Sequence, residues 1–287
     1  MRDKPRPLIG LTLNYRDAAR TSRCIASLMA DGADGVLVWD NSEDGGHSAQ
    51  ALRQHWAHEP RVVIEASTRN LGFAAGVNRG IDAVLAHWPQ AWVLLINNDA
   101  TLHRGAIQTL AHALNAHPQA VIAYPRLDHG GQVIGTVYYQ RLFALLRFDR
   151  AWPGSFPYPS GSLLLIAPER IEPPLFDEDF FMYGEDVMLG WRLGAKRMVH
   201  VPQVLAWHEG SASSRNGSWF YETHVAAGHW RLAGKLARSR RERWLLLAGR
   251  MVSLPLRALV RSWRARSLVP LKALATGWRL ARARSLS

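Results

Sequence analysis

The stretch Trp92-Val93-Leu94-Leu95-Ile96-Asn97-Asn98-Asp99 decides the fold class of this 287-residue chain. Its five consecutive apolar residues predict a strand that is buried on both faces, as in a parallel sheet. The polar triplet Asn97 to Asp99 ends that strand abruptly. Polar side chains in this position indicate a ligand site, because open α/β sheets bind ligands beyond the carboxyl ends of their strands.

Three similar apolar runs precede this stretch, at 8–15, 35–39 and 62–64. Between the first two runs, residues 17–30 have apolar side chains spaced for one helix face. The segment 70–80, rich in Gly and Asn, predicts a turn that opens a helix through about residue 86. Its glycines fall at every fourth position, which indicates either a phosphate at a helix N-terminus or tight packing of a helix on the sheet. Strands that alternate with helices predict an α/β fold with a mostly parallel sheet and right-handed crossovers.

The second half of the chain is less regular. Residues 121–150 predict a strand pair with an insertion rich in Tyr, Phe and Arg, and residues 160–166 predict a further buried strand. An acidic and aromatic stretch at 176–186 leads into a predicted helix at 187–193. Residues 199–202 end in proline and predict an edge strand, because proline cannot donate a ladder hydrogen bond.

The positive charge lies almost entirely at the C-terminus. The formal net charge is +12, made up of −2 over residues 1–230 and +14 over residues 231–287. We therefore divide the chain into an α/β domain at 1–225 and a basic helical extension at 226–287. Two apolar helix faces beside arginines are predicted in the extension: Leu256, Leu259, Val260 and Trp263, and then Leu271, Leu274, Trp278 and Ala281.

Amphipathic helices of this composition are typical of proteins that lie on an anionic membrane. No uncharged apolar run reaches the roughly 18 residues of a membrane span, and Arg250 and Pro255 interrupt the most apolar stretch. Packing of the extension on the α/β domain or on a second subunit is the alternative. Nucleic-acid binding is disfavoured, because the apolar faces are large and no recognition motif is present. The charged N-terminus and the single cysteine, Cys24, favour a cytoplasmic protein.

Several polar residues are candidates for chemistry, each with a structural alternative. Asp40 follows a strand and suits hydrogen bonds to a nucleoside, or an ordinary turn. Asp99 suits Mg²⁺ or Mn²⁺, or the N-cap of a helix over 102–115. Glu185 and Asp186 lie among aromatic residues, which favours raised pKa values and general-base catalysis, although helix N-termini also favour acids. His208 is a ligand candidate or a hydrogen-bonded structural histidine.

In their order along the chain, these motifs resemble family 2 glycosyltransferases with the GT-A fold, most closely the rhamnosyltransferase-like branch. The resemblance covers about residues 8–215. It rests on seven motifs: Asn14-Tyr15, Asp40-Asn41-Ser42, the Gly/Asn segment 70–80, Asn97-Asn98-Asp99, Ser160-Gly161-Ser162, Phe181 to Asp186, and His208 with its downstream serines.

The resemblance implies an inverting, metal-dependent hexosyltransferase that moves a sugar, rhamnose in the branch resembled, from a dTDP- or UDP-sugar to a glycan or lipid-linked acceptor. Such enzymes build bacterial surface polysaccharides, here at the inner face of the plasma membrane. The implied donor-binding residues are Thr12, Asn14, Asp40, Asn70, Gly72, Asn78 and Asn98.

The resemblance also implies that Asp99 and His208 hold Mg²⁺ or Mn²⁺, and that Asp186, beside Glu185, is the catalytic base. The chain departs from the family pattern at two positions. Asn97 stands where many relatives have aspartate, and Met188 replaces a second aspartate after the acidic pair. These departures leave open a non-catalytic module that binds sugar nucleotides or glycans.

Overall fold

A nine-stranded mixed sheet lies at the centre of the part of the chain that is described, residues 6–209 and 217–283 of a computed structural model. In chain order, the strands are β1 (Leu8–Asn14), β2 (Gly35–Asp40), β3 (Val62–Ala66), β4 (Trp92–Ile96), β5 (Ala100–Leu102), β6 (Ile122–His129), β7 (Gln132–Ile134), β8 (Val137–Gln140), β9 (Leu145–Phe148), β10 (Ser155–Tyr158), β11 (Leu163–Ile166) and β12 (Met198–His208). The sheet order is β3-β2-β1-β4-β11-β6-β12-β5, with β7 paired to β6. Strands β5, β7 and β11 run opposite to the other six.

Helices cover the sheet and extend beyond it. They are α1 (Ala18–Ala30), α2 (His47–His55), α3 (Gly72–His87), α4 (Ala106–Ala116), α5 (Glu185–Leu193), α6 (Trp219–Lys235), α7 (Arg240–Ala265) and α8 (Val269–Ala283). The predicted mixed, mostly parallel α/β sheet is therefore confirmed.

Strand β4 is buried on both faces, as its apolar sequence predicts. Val93 and Leu95 pack with α3 in one core cluster. Leu94 and Ile96 point to the opposite face and pack with α1 and α4 in another. With β1 on one side and β11 on the other, the strand satisfies its backbone within the sheet and leaves Asn97 to Asp99 at its carboxyl end.

The glycine-rich segment is helical rather than a turn, which corrects the prediction for residues 70–80. Helix α3 begins at Gly72 and continues through the later glycines. A Cβ atom on Gly80 would lie 2.6 Å from Leu11 Cδ1, and one on Gly76 would lie 2.7 Å from Asn41 Nδ2. These glycines therefore let the helix approach the sheet closely.

At 199–202, strand β12 has β6 as its one strand partner among the described residues, as predicted for an edge strand, and it becomes an interior strand only at Ala206–His208, where β5 pairs with it. It pairs with β6 in parallel and with β5 in antiparallel orientation. The register with β6 shifts between Val201 and Val204. Pro202 lies within this irregularity, which is where a sheet tolerates a residue without a backbone N–H.

The Tyr-, Phe- and Arg-rich insertion forms a separate antiparallel sheet of order β10-β8-β9. Tyr139 and Tyr158 of this sheet pack in one apolar cluster with Val187 of α5, Leu232 of α6 and Leu246 of α7. The small sheet thus connects the acidic helix α5 to the C-terminal helices.

The three C-terminal helices pack together. Small residues of α8 meet α6, and a Cβ atom on Gly277 would lie 2.7 Å from the Ala226 Cβ. The rings of Trp230 and Trp278 meet edge to face at 4.7 Å. The predicted boundary between residues 225 and 226 falls within α6, and the division into two units stays a prediction. Among the described helices, none combines the length and the apolar character that a membrane crossing requires.

Candidate active site

An open pocket of about 600 Å³ lies at the carboxyl ends of β1 and β4. Eight of the eleven predicted site residues line it: Asn14, Asn70, Gly72, Asn98, Asp99, Glu185, Asp186 and His208. They come from strand ends and from the first turns of α3 and α5, which the sheet topology brings to one edge. Ser218 and Phe220, at the start of α6, also line it.

One wall of the pocket carries the acidic pair at the N-terminus of α5. The turn before it depends on Gly184, whose φ is 107° and whose Cβ atom would meet the Phe180 ring at 2.8 Å. The Asp186 carboxylate accepts a hydrogen bond of 2.8 Å from the backbone N–H of Val187. Burial raises the pKa of both carboxyl groups, and the charge of Asp186 raises that of Glu185 further.

The Glu185 carboxyl group is the more buried of the two, at 6% exposed. Its Oε2 atom finds no hydrogen-bond partner among the described residues. Burial and the charge of Asp186 outweigh the backbone hydrogen bonds that this carboxyl group accepts, so its pKa is raised and the neutral form is favoured there. The two carboxyl groups of Glu185 and Asp186 therefore favour sharing one proton over being ionised together.

Asp99 and His208 line the same pocket. The Asp99 Oδ1 and His208 Nε2 atoms are 2.9 Å apart, and both side chains are less than 10% exposed. Strand β12 places His208 in register with Ala100, and the Glu209 N–H donates to the Asp99 carbonyl at 3.0 Å. The strand pairing therefore fixes both side chains in position.

Two further side chains contact His208. The Asn97 amide nitrogen is 3.3 Å from its Nε2 atom. The His129 Nδ1 atom, on β6, is 3.0 Å from the His208 Nδ1 atom, so one ring donates to the other. Burial and then the charge of His208 lower the pKa of His129 to about 4, which keeps His129 neutral at neutral pH.

One carboxylate and one imidazole make a sparse metal site. Among residues 6–209 and 217–283, no group of three or more His, Cys, Asp or Glu is arranged to hold an ion. Mg²⁺ keeps several non-protein ligands and commonly shares its coordination with phosphates. Asp99 and His208 therefore fit a divalent ion that takes its remaining ligands from a diphosphate and water.

At the end of β1, Asn14 organises a buried hydrogen-bond network. Its amide donates to Asp40 Oδ1 at 2.7 Å, and its carbonyl oxygen accepts from Thr21 Oγ1 at 2.7 Å. Asn98 donates to the same threonine oxygen at 3.1 Å. Asp40 lies behind Asn14 and Thr12 is fully buried, so neither lines the pocket.

The start of α3 is clamped to the loop before α5. Gly72 has a φ of 80°, and a Cβ atom there would lie 2.4 Å from the Phe181 carbonyl oxygen. The Phe73 N–H donates to that same oxygen at 2.7 Å, and the Asn41 amide donates to the Gly72 carbonyl at 2.8 Å. Asn70 caps this turn by accepting the Gly72 N–H at 2.9 Å.

Asn78, the third predicted site residue outside the pocket lining, ties α3 to the chain before α5. Its amide donates to the Phe176 carbonyl at 2.8 Å and to Glu178 at 3.0 Å, and its oxygen accepts the Phe176 N–H at 3.0 Å. These bonds occupy both ends of the amide. Asn78, Asp40 and Thr12 do not line the pocket, and donor binding by these three residues stays a prediction.

Other details differ from the sequence analysis. Asp99 is not the cap of the following helix, because α4 begins at Ala106 and the Asp31 carboxylate accepts the N–H groups of Gly105 and Ile107. His129 was missed, because it acts through His208, far away in sequence. Asn41 belongs to one of the quoted motifs but was given no role, and it both lines the pocket and donates to the Gly72 carbonyl. The predicted serines after His208, at 211, 213 and 214, lie outside the described residues.

Comparison with known proteins gives consistent matches. The sequence profile of glycosyl transferase family 2 matches residues 11–167, more than half of the chain. N-acetylglucosaminyl-diphospho-decaprenol L-rhamnosyltransferase of Mycobacterium tuberculosis, in strains CDC 1551 / Oshkosh and H37Rv, is 28% identical over 259 residues, 78% of this chain and 81% of the relative.

Crystal structures of S. aureus TarS share the fold. TarS 1-349 superposes with a TM-score of 0.54 at 11% identity, over 90% of this chain and 74% of that one. Its complex with UDP-GlcNAc gives a TM-score of 0.56 at 12% identity, over 96% and 81%. The predicted GT-A fold is confirmed by this likeness. The chain belongs to glycosyl transferase family 2, whose members transfer sugars.

Proposed function

We propose that this chain transfers a sugar, rhamnose in the first instance, from a dTDP- or UDP-sugar to a glycan or lipid-linked acceptor in the synthesis of a cell-surface polysaccharide. The observation that carries the proposal is one pocket lined by two pairs of functional side chains, Asp99 with His208 and Glu185 with Asp186. The M. tuberculosis relative, named for a decaprenol-linked acceptor and L-rhamnose, supports this choice of substrates. The TarS complex with UDP-GlcNAc supports a nucleotide-sugar donor.

In the proposed reaction, Asp186 acts as the general base. The acceptor hydroxyl gives its proton to the Asp186 carboxylate as its oxygen bonds to the anomeric carbon of the donor. The bond from that carbon to the nucleoside diphosphate breaks, and the diphosphate leaves with the electron pair. Because a single displacement inverts the anomeric configuration, no second carboxylate is needed as a covalent nucleophile.

The retained proton of the acidic pair is assigned to Glu185, because its carboxyl group is the more buried and has an oxygen without a donor. This arrangement leaves Asp186 ionised and able to accept the proton. Its raised pKa makes it a stronger base than an exposed aspartate, which suits proton transfer near neutral pH.

Mg²⁺ or Mn²⁺ held by Asp99 and His208 would neutralise negative charge on the leaving diphosphate. Asn97, where many relatives have aspartate, leaves the site with less negative charge. Asn14, Asn70 and the turn at Gly72 also line the pocket and would orient the nucleoside part of the donor. Their own hydrogen bonds to Asp40, Thr21 and Asn41 hold them in place.

We place the enzyme in the cytoplasm at the inner face of the plasma membrane, with domain 1–225 catalytic and extension 226–287 on the membrane surface. A lipid-linked acceptor supports this placement, because its polyprenyl part stays in the bilayer. Nucleic acid is not among the proposed partners.

The test is release of nucleoside diphosphate from a panel of sugar nucleotides, with Mg²⁺ or Mn²⁺ present and a membrane extract as acceptor. Wild type is expected to release diphosphate from one donor, and Asp186→Asn and Asp99→Ala are expected to lose that release. Binding of a sugar nucleotide without release, with the extract supplied, would replace the proposal by a non-catalytic sugar-nucleotide module. Absence of binding to every sugar nucleotide would overturn both.

A further inference from the structure

Helix α7 presents an exposed apolar face. Trp244 is 73% exposed and Trp263 is 80% exposed, and six large apolar side chains between them are about half exposed or more. We call these residues the outer face: Trp244, Leu245, Met251, Val252, Leu256, Leu259, Val260 and Trp263. From Trp244 to Trp263 the face extends roughly 28 Å at 1.5 Å per residue.

The inner side of α7 is fixed to the rest of the protein. Leu246, Leu254 and Ala258 are buried, and the guanidinium of Arg250 is fully buried. Arg250 donates to the carbonyls of Arg141 and Leu142, the latter at 2.7 Å. Rotation of α7 to hide the outer face would break these contacts, so its exposure belongs to the fold.

The two apolar stripes predicted in the extension have different surroundings. In α8, Ala281 is buried, Leu274 is partly buried, and Trp278 packs on Trp230. That stripe is used to hold α8 against α6. In α7 the predicted set of Leu256, Leu259, Val260 and Trp263 is exposed, and no described residue covers it.

The charges around the outer face favour an anionic partner. Exposed arginines lie at both ends of α7, including Arg240, Arg241 and Arg264, and Arg266 follows the helix. The only acid in α7, Glu242, is bound to Arg141 at 2.5 Å. A second copy docked through this face would bring like charges together, whereas anionic phospholipid headgroups would complement them.

We propose that the outer face of α7 lies on an anionic phospholipid bilayer, with its apolar side chains in the acyl boundary and its arginines at the headgroups. Tryptophans at both ends suit this depth, because the indole ring prefers the membrane interface. Helices that lie in the plane of the interface have this distribution of apolar, aromatic and basic residues.

Helix α7 also contacts an element that lines the pocket. On the side of α7 away from the outer face, Arg261 donates to the Glu222 carboxylate of α6 at 2.5 and 2.9 Å. Its guanidinium lies 5.3 Å from the centre of the Tyr221 ring, and that ring meets Tyr183, which lines the pocket, at 5.2 Å. The helix that carries the outer face is thus joined by side-chain contacts to the pocket that would take a lipid-linked acceptor, a consequence that rests on the proposed function.

Vesicle flotation tests the docking without donor or acceptor, so its result is independent of the diphosphate-release assay. The full chain is mixed with vesicles of POPC and POPG at equal amounts, or of POPC alone. Wild type is expected to float with the POPG vesicles and at least tenfold less with POPC alone. A Met251→Glu, Leu256→Glu, Trp263→Glu variant is expected to lose at least tenfold of the binding, whereas Val133→Glu, at an exposed apolar position on β7, is not.

Site-specific labelling tests the docking independently, in case the triple variant does not fold. The single native cysteine, Cys24, is fully buried, so an environment-sensitive dye attaches to an introduced cysteine. Leu256→Cys and Leu259→Cys are expected to give blue-shifted, brighter dye emission on POPG vesicles, and Val133→Cys unchanged emission. Unchanged emission at Leu256 and Leu259, or wild type that stays unbound, would overturn the proposal. The proposal would also be overturned if wild type formed a dimer and did not bind vesicles, while the triple variant was a monomer.

Discussion

Replacement of Asp186 by asparagine removes a base while keeping its shape. The asparagine oxygen can still accept the Val187 N–H, which Asp186 accepts at 2.8 Å, so the start of α5 is retained. What the amide cannot do is take a proton from a hydroxyl at neutral pH. Asp186→Asn is therefore a test of proton transfer rather than of folding.

The size of the loss follows from the surroundings of the carboxylate. General-base catalysis contributes 10²- to 10⁴-fold, which corresponds to about 3–5 kcal/mol of activation free energy. Burial raises the pKa of Asp186, which strengthens it as a base. Glu185 is a poor replacement because its neutral form is favoured in its buried position. We therefore expect kcat to fall about 10³-fold, with little change in KM for the donor.

Nucleoside diphosphate release with saturating acceptor gives kcat and KM separately, and Asp82→Asn, on the exposed side of α3, is the matched control. A thermal melt should show no loss of stability, because the substitution removes a charge from a buried acidic pair. Wild-type kcat/KM should fall as the pH is lowered through the raised pKa of Asp186, since only the ionised form accepts a proton. The residual activity of the variant should lack this dependence.

A loss of less than tenfold in kcat would refute the assignment of Asp186 as the base. A change confined to KM would make it a binding residue instead. Residual activity that keeps the wild-type acidic limb would mean that another group takes the proton.

Three other perturbations have defined outcomes. Glu185→Gln should raise the free energy of unfolding by about 1–3 kcal/mol at pH 8 and hardly at pH 4. Folding raises the pKa of the Glu185 carboxyl group, so the wild-type protein loses stability as the pH rises, whereas the glutamine variant does not. Equal thermal stabilisation at both pH values would contradict this. Gly72→Ala should weaken UDP binding at least tenfold in calorimetry, since its φ is 80° and its Cβ would overlap the Phe181 carbonyl; unchanged affinity would show that this turn does not shape the donor site. His208→Ala should weaken Mn²⁺ binding in the presence of UDP at least tenfold by electron paramagnetic resonance, and an equal affinity would exclude the imidazole as a ligand.

The strands of the sheet were predictable where consecutive apolar residues indicate burial on both faces. The run Trp92 to Ile96 could only be a strand covered on both sides, and it is. The start of α3 was not predictable in the same way, since glycines at 72, 76 and 80 usually indicate a turn. Their spacing of four also indicated a helix packed tightly on the sheet, which is what the structure has, but the contacts with Leu11 and Asn41 could not be read from a local pattern.

The candidate site was predictable for residues that reach the pocket directly. Asp99, Asp186 and His208 each lie in a short polar motif at the end of a strand or the start of a helix, and all three line the pocket. His129 left no signal in the sequence because it touches His208 from β6, 79 positions earlier. Its contribution depends on the parallel pairing of β6 with β12, a long-range feature.

The C-terminal helices contribute to the candidate site itself as well as to the structure around it. The family profile ends at residue 167, before the acidic pair, His208 and the start of α6. Ser218 and Phe220 nevertheless line the same pocket as Asn14 and Asp99. Because α6 also holds α8 and faces α7, a chain cut at residue 225 would lose most of α6 and with it the support for one edge of the pocket. The basic extension is thus continuous with the site, because α7, which carries the proposed membrane contact, packs against α6, whose first residues line the pocket.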